Sequence, residues 1–209
     1  MIITKIETQK KNDSRVSVYI DGAYAFGLSA EDAVMYGLRE GVELSGPELN
    51  EILAETAVSE AKEAAYRYVG YRRRTRREIE TYLKRKQYPD CAVEQAIGAL
   101  TEYKYIDDRE LAKAFISDSL RINKWGVKKI RYELMRKGVD GATIDEAFND
   151  SEYDAAEYIT GLIIKKTRGI PPGGLDATEK RKLFGYLAGR GFTYDEIDAA
   201  YRMCAEADD

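Results

Sequence analysis

The fold of this chain is decided by the stretch KKIRYELMRKGVDGATIDEAF, residues 128–148, whose pattern occurs three times. Taking Leu134 as the anchor, apolar residues lie four before it and ten and fourteen after it, and a basic residue lies three after it. The same spacing surrounds Leu83 and Leu187, so the anchors are 51 and 53 residues apart. Self-similarity at a nearly fixed period predicts stacked repeats, which present a long face to a long partner rather than a small-molecule pocket.

Each repeat is predicted to contain three helices. In the first, residues 75–78 (Thr-Arg-Arg-Glu) form a capping box, in which a threonine and a glutamate satisfy the free amides of a helix start. Ile79 and Leu83 then lie one turn apart on a buried face, and Pro89 ends the helix. Further capping boxes are predicted at residues 176–179 and 193–196.

Glycines mark the helix ends of two repeats but not of the first. Gly138 and Gly191 occupy equivalent positions just after the anchor helix, where a left-handed residue commonly ends a helix. The first repeat has Gln87 at that position. A clear loop is predicted from proline and glycine content at residues 169–174.

The N-terminal residues have the alternation of β-strands. Val16, Val18 and Ile20 form one apolar set, and Tyr24, Phe26 and Leu28 form the next. A two-residue turn at Asp21-Gly22 would pair Ile20 with Ala23 and place the two sets on opposite faces. The expectation is therefore a three-residue connection, which pairs Ile20 with Tyr24 and Val18 with Phe26. Ile2, Ile3 and Ile6 predict a further strand.

These patterns predict a mainly α fold of tandem three-helix repeats with a small N-terminal β-hairpin or sheet unit. The expected modules are a β-rich extension at 1–45 and repeats at 46–106, 107–150 and 151–209.

Charge is unevenly distributed although the formal net charge is only −4. Residues 30–63 carry nine acidic and two basic side chains, and residues 66–86 carry nine basic and two acidic ones. Residues 140–157 carry seven acidic side chains and no basic one. Such blocks create local fields whatever the total, and the basic stretch suits an acidic or nucleoprotein partner.

Composition argues against several classes of protein. The sequence has no histidine and two cysteines, which disfavours a zinc site, a disulfide framework and the commonest general base. No apolar run approaches the roughly 18 residues of a membrane span, and the N-terminus lacks the order of a secretion signal. A cytoplasmic, non-enzymatic monomer without cofactors and without contact with a membrane is expected.

The candidate binding residues are basic and are located at repeat-equivalent positions. Arg77, Lys128 and Arg181 lie six residues before each anchor leucine, in the first helical turn and away from the buried stripe. Positive charge there opposes the helix dipole by roughly 0.3–1 kcal/mol. A solvated helix face and a partner-binding surface are about equally good explanations. The full candidate set is Arg72, Arg73, Arg74, Arg76, Arg77, Lys84, Lys128, Lys129, Lys180, Arg181 and Lys182.

Other side chains favour structural roles. The bases after each anchor, Lys86, Lys137 and Arg190, lie in the last turn, where positive charge stabilises the dipole. Helix capping explains residues 107–108 (Asp-Asp) better than catalysis does. Tyr66, Tyr68 and Tyr71 could stack on bases but are more often half-buried packing residues, and Trp125 is expected to be a packing wedge.

The central stretch from residue 100 to residue 139 resembles the signature of the RecX family. The matching residues are Tyr105, Ile106, Asp107, Asp108, Leu111, Ala112, Gly126, Ile130, Glu133, Leu134, Lys137 and Gly138. RRRTRREIETYLKRK (72–86) and KRKLFGYLAGRGFTYDEI (180–197) are similar to the family's first and third repeats. The departures are Gln87 for the usual glycine and the Pro-Gly insertion at 169–174.

The resemblance implies a regulator of the recombinase RecA. It implies an elongated, curved array that lies along the groove of the RecA–DNA filament, inhibits strand exchange and ATP hydrolysis, and is in reach of single- or double-stranded DNA. Two alternatives stay open at this point. One is a stand-alone nucleic-acid-binding protein with helix-turn-helix-like units, and the other is a protein-interaction scaffold that recognises acidic surfaces without DNA.

Overall fold

The computed structural model describes residues 1–10, 12–151, 153–167 and 172–206. The strands are β1 (Ile3–Gln9), β2 (Asn12–Ile20) and β3 (Ala23–Ser29). The helices are α1 (Ala30–Met35), α2 (Gly46–Tyr71), α3 (Arg76–Arg85), α4 (Asp90–Glu102), α5 (Asp108–Asp118), α6 (Val127–Arg136), α7 (Gly141–Asn149), α8 (Ala155–Thr167), α9 (Ala177–Gly189) and α10 (Tyr194–Glu206). A π-helical segment (Ser119–Asn123) follows α5, and a 3-10 turn (Pro172–Gly174) precedes α9. The predicted loop at 169–174 lies partly outside the described residues.

The chain folds into two compact units. The N-terminal unit comprises residues 1–72 and 79–105, and the C-terminal unit comprises residues 73–78 and 106–209. The first turn of α3 therefore belongs to the C-terminal unit, while the rest of that helix belongs to the N-terminal one.

The N-terminal sheet is antiparallel with the order β1-β2-β3, and one of its faces is buried against α1 and α2. The predicted three-residue connection is wrong, because Ile20 pairs with Ala23 across a two-residue turn. Asp21 and Gly22 both have positive φ there, 50° and 84°, as the tight hairpin turn requires. A register shift just beyond the turn then restores the predicted pair of Val18 with Phe26. A β-bulge thus keeps Phe26 and Leu28 on the buried face with the first apolar set, which alternation alone could not reveal. Tyr24 instead pairs with Tyr19 and is exposed.

The three repeats share one packing scheme. The first and third helices of each repeat pack together, as α2 with α4, α5 with α7, and α8 with α10. The anchor leucines Leu83, Leu134 and Leu187 lie on the middle helices and are completely buried. This arrangement confirms the prediction of a mainly α fold with three-helix repeats.

The predicted helix boundaries follow from local capping. The hydroxyl of Thr75 accepts from the amide of Glu78, whose carboxylate accepts from the amide of Thr75. Reciprocal capping boxes also start α9 at Asp176 and α10 at Thr193. Because such signals depend on side chains within one turn, they can be identified in the sequence without tertiary information.

Candidate functional site: a basic surface on the middle helices

Arg77, Lys128 and Arg181 are exposed in the structure, as predicted from their position opposite the buried stripe. All three lie in the C-terminal unit. Arg77 and Lys128 are in the first turns of α3 and α6, as predicted, but Arg181 is the fifth residue of α9 and lies beyond its first turn, because α9 already begins at Ala177. What fixes their separation is a joint between the ends of successive middle helices, which occurs twice.

The first joint connects the start of α3 to the end of α6. Thr75 is completely buried, and its hydroxyl donates to the backbone carbonyl of Lys137 at 2.6 Å while also capping α3. The Lys137 ammonium reaches the Glu78 carboxylate at 3.6 Å. The side chain of Arg77 lies directly over Gly138, so closely that a Cβ on that glycine would be 2.5 Å from the Arg77 Cβ.

The second joint connects the start of α6 to the end of α9 in the same manner. The amide of Gly126 donates to the carbonyl of Arg190 at 2.9 Å. The Arg190 guanidinium donates back to the carbonyls of Asn123 and Lys124. A Cβ on Gly191 would be 2.5 Å from the backbone nitrogen of Lys129, and one on Gly126 would be 2.5 Å from the carbonyl oxygen of Gly191.

The two joints explain the glycine pattern of the repeats. Gly138 and Gly191 have φ of 88° and 91°, and each is also pressed against the preceding repeat. Gln87 has the same left-handed conformation, with φ of 65°, but no repeat precedes its own. Glycine is therefore required where the backbone of one repeat approaches the next, and the helix end alone does not demand it.

The joints also explain the bases that follow the anchors. Lys137 and Arg190 have structural roles, as expected, but these roles cross between repeats and go beyond the favourable helix dipole. Lys86, in the first repeat, lies over the Tyr82 ring instead, at 5.5 Å.

Regular spacing of the candidate bases follows from this geometry. Arg77 lies over Gly138, and Lys128 is ten residues earlier along α6, so the rise of an α-helix separates them by roughly 15 Å. Lys129 packs against Gly191, and Arg181 is ten residues earlier along α9, which gives a similar interval of roughly 15 Å.

Positive charge that no acidic residue offsets is found at the start of one of the three middle helices. At α3 the Asp108 carboxylate accepts from the Arg76 amide at 3.0 Å, and Glu78 is in the same turn, so acids offset the bases. The α9 start has Asp176 and Glu179. The first turn of α6 contains Lys128 and Lys129 and no acidic residue. Only at α6, therefore, does positive charge oppose the helix dipole without an acidic residue that offsets it.

Both aspartates of the Asp107-Asp108 pair are capping residues. Asp107 accepts from the Glu110 amide in its own helix at 2.9 Å, whereas Asp108 caps α3 from outside. Burial is the main cause that raises the pKa of Asp108 above its ordinary value.

Several of the other candidate bases are engaged within the protein. The Lys129 ammonium lies over the Trp125 ring at 4.6 Å, and that of Lys180 lies over the Tyr201 ring at 4.4 Å. Lys84 is paired with Glu80 at 2.9 Å and with Asp90 at 3.4 Å. Their charges stabilise the repeats internally, so they are weaker candidates than the exposed Lys128 and Arg181.

The remaining candidates differ in exposure. Arg72, Arg73, Arg76 and Lys182 are exposed, and Arg74 is half-buried. Two of the neighbouring tyrosines already pack against other rings. Tyr66 packs edge-on against Tyr105, and Tyr68 stacks on Tyr82 with 4.0 Å between the ring centroids. Tyr71 is 88% exposed, so it is the tyrosine of this group most available to a base.

Comparison with known proteins assigns all three repeats and the β unit. Four family models match in chain order: the "Regulatory protein RecX N-terminal domain" at residues 1–45, and the first, second and third three-helix domains of RecX at 61–100, 107–147 and 152–201. The chain belongs to the RecX family.

Named relatives agree with the RecX assignment over most of the chain. The regulatory protein RecX of Clostridium acetobutylicum is 35% identical over 93% of this chain and 92% of its own length. That of Bacillus subtilis is 34% identical over 95% of this chain and 75% of its own length.

Solved structures agree as well. A crystal structure of regulatory protein RecX superposes with a TM-score of 0.68 at 26% identity and covers 98% of both chains. The crystal structure of RecX from Lactobacillus salivarius shares the fold, with a TM-score of 0.63 over 71% of this chain and 96% of its own.

Two further properties concern the described residues only. None of the helices there combines the length and apolar character needed to cross a bilayer. The same residues contain no group of three or more acidic or cysteine side chains placed to hold a metal ion.

Proposed function

We propose that this protein is a non-enzymatic, cytoplasmic regulator that binds the RecA–DNA filament along its groove. In this proposal it mainly inhibits the recombinase, its ATP hydrolysis and strand exchange, and so acts in recombination, DNA repair and the SOS response. Membership of a family named for regulation supports the general role. The observation that carries the surface assignment is the regular spacing of Arg77, Lys128 and Arg181, which the two joints hold in place.

The chemistry of this surface suits a long anionic partner. Arginine and lysine side chains pair with phosphates and carboxylates alike. A repeated interval of roughly 15 Å requires a partner that is itself extended, as a filament of protein and DNA is. The modules at 1–45, 46–106, 107–150 and 151–209 and a monomeric state belong to the same proposal.

The first test measures the ATPase activity of RecA on single-stranded DNA with substoichiometric amounts of this protein, next to binding of the same DNA without RecA. The proposal expects strong inhibition well below one molecule per RecA and weak binding to bare DNA. Tight, salt-sensitive binding to bare DNA without any effect on RecA would instead support a stand-alone nucleic-acid-binding protein.

The second test locates the surface. The variant Lys128→Glu/Arg181→Glu reverses two exposed charges that make no joint contact, and its inhibition of RecA should fall at least about tenfold. Arg77 is left unchanged because its side chain also packs on Gly138. Lys10→Glu/Arg39→Glu is the matched control, since both side chains are exposed and lie in the N-terminal unit. Equal inhibition by the two folded variants would reject the surface.

A further inference from the structure

Two large apolar side chains are exposed on α6, among its basic residues. Tyr132 is 63% exposed and Met135 is 57% exposed, and they lie three residues apart, so they are neighbours on the helix surface. Lys128 lies four residues before Tyr132, and Arg136 lies four residues after it. At about 3.6 residues per turn, all four side chains fall within an arc of roughly 100°. We refer to the surface formed by Lys128, Tyr132, Met135 and Arg136 as the α6 face.

The α6 face is positively charged. Lys128 is exposed, and the first turn of α6 has no acidic residue. Glu133, the one acid of this helix, pairs with Arg136 at 2.7 Å, and its side chain is only 18% exposed. On the flank of the helix, Asp145 is paired with Arg131. Both acids are thus neutralised by internal pairs, and the face should attract carboxylates or phosphates of a partner.

The apolar pair is particular to the second repeat. The equivalent positions are occupied by Thr81 and Lys84 in α3 and by Gly185 and Ala188 in α9. All three middle helices nevertheless bury their anchor leucines completely. A large apolar pair on the outer side is therefore not a requirement of the repeat fold, and its exposure to water has a cost that contact with a partner would remove.

The apolar pair also lies between two of the exposed bases. Lys128 is in the first turn of α6, and Arg77 lies over Gly138, just beyond the other end of the helix. Tyr132 and Met135 fill the interval between them. Protein interfaces commonly have this arrangement, with a desolvated apolar centre, a polar rim, and enrichment in tyrosine, methionine and arginine.

Other occupants fit the α6 face less well than a protein. A tyrosine can stack on a base, but Met135 is uncharged and apolar, and methionine characteristically fills gaps at protein-binding surfaces. A second copy of the chain that used the same face across a twofold axis would bring the bases of both copies together, which like-charge repulsion disfavours. A protein surface with an apolar pocket and an acidic rim would satisfy both kinds of side chain.

We propose that the α6 face docks on a protein partner with an apolar pocket rimmed by carboxylates. Tyr132 and Met135 are the anchors in the pocket, and Lys128 and Arg136 meet the rim. This inference rests on the proposed function, because it assigns the central part of the basic surface to the protein component of the filament, as opposed to its DNA.

The test measures binding to the RecA filament and to bare DNA with the same labelled protein. The full chain is labelled with a fluorophore on Cys91, which is exposed, whereas Cys204 is buried. Fluorescence anisotropy is then followed during titration with RecA filaments assembled on oligodeoxythymidylate with a slowly hydrolysed ATP analogue. A second titration uses the same oligonucleotide without RecA.

The anchor variant is Tyr132→Ala/Met135→Ala, which leaves every charge in place. We expect it to bind the filament at least about tenfold more weakly than the unmodified protein, while its affinity for bare DNA changes by less than about twofold. The matched control is Tyr103→Ala/Met35→Ala, which removes side chains of the same types that are 67% and 66% exposed in the N-terminal unit. Its affinity for the filament should stay within about twofold. Circular dichroism checks that both variants are folded.

Filament binding by the anchor variant as tight as that of the unmodified protein would overturn this inference and leave the proposed function standing. An equal loss of affinity for bare DNA would also overturn it, because Tyr132 would then be stacking on bases. An equal loss in the control variant would show that α6 holds no special anchor. Absence of any filament binding by the unmodified protein would instead remove the proposed function, and this inference with it.

Discussion

The ends of the three middle helices make the same turn but in different surroundings, and this comparison separates two reasons for a glycine. Gln87, Gly138 and Gly191 all have positive φ, at 65°, 88° and 91°. Only the two glycines are covered by the start of the preceding middle helix. The close approach between repeats, more than the left-handed conformation, therefore determines where glycine is needed.

The largest expected effect is at the second joint. Gly191→Ala places a Cβ against the backbone of Lys129, which cannot move without shifting α6, and it adds the cost of a left-handed alanine. We expect the free energy of unfolding to fall by roughly 3 kcal/mol. Trp125 is the only tryptophan and lies next to this joint, so denaturant unfolding followed by its fluorescence is a direct measurement.

The control for that substitution is Gly189→Ala. A Cβ there meets nothing within 4 Å, and the residue lies at the end of α9. Its free energy of unfolding should stay within about 0.5 kcal/mol of the unmodified protein. If both alanines destabilise equally, the close approach at Gly191 is not the reason for its glycine.

The first joint should tolerate alanine better. Gly138→Ala collides with the side chain of Arg77, whose Cγ and Cδ can swing away but whose Cβ cannot, so a loss of about 2 kcal/mol is expected. Combining it with Arg77→Gly, which also removes that Cβ, should lower the cost of the glycine substitution to about 1 kcal/mol, the share of the left-handed backbone. Urea unfolding of the four proteins in this double-mutant cycle gives the coupling, and strictly additive effects would contradict the contact.

Features that depend on neighbouring residues could be predicted from the sequence, whereas features that depend on tertiary contacts could not. Capping boxes, buried leucines and exposed bases such as Lys128 depend on neighbours within a turn or two, so spacing was sufficient to find them. The hairpin connection was wrong because a bulge can compensate for a turn of different length.

The joints between the repeats could be found only in the tertiary structure. Nothing in the sequence around Lys137 indicates that its carbonyl accepts from Thr75, 62 residues away. The exposed positions of Arg77, Lys128 and Arg181 were predictable, whereas the internal partners of Lys129 and Lys180 were not.

A smaller effect is expected from the acid that caps α3 from outside. Asp108→Ala removes the acceptor for the Arg76 amide and should cost about 1 kcal/mol. Asp108→Asn keeps an acceptor and removes a carboxylate that burial disfavours. Because the pKa of Asp108 is raised on folding, the native state holds that proton more tightly, and the stability contributed by the group falls as pH rises through this range.

The asparagine variant should therefore be at least as stable as the unmodified protein at neutral pH. That advantage should shrink as pH falls through the raised pKa of Asp108 in the native state, and it should be gone below 3.8, the ordinary pKa of the group, where Asp108 is protonated in both states. The measurement is the denaturant concentration at the unfolding midpoint of both proteins across this pH range. An advantage that grows on acidification would show that the carboxylate is favoured by the fold.

The smallest effect is expected at Gln87, the helix end that no preceding repeat covers. Gln87→Gly removes the strain of a left-handed residue that no preceding repeat covers, so the free energy of unfolding should rise by up to about 1 kcal/mol. Part of this gain is offset because glycine makes the unfolded chain more flexible. Gln87→Ala keeps the backbone cost and should be nearly neutral. The opposite signs expected for glycine at 87 and alanine at 191 follow from the left-handed backbone that both positions share, and the covering repeat is the reason why the loss at 191 is the larger of the two effects. A destabilised Gln87→Gly protein would mean that the Gln87 side chain itself stabilises this helix end, and close approach would no longer explain the pattern.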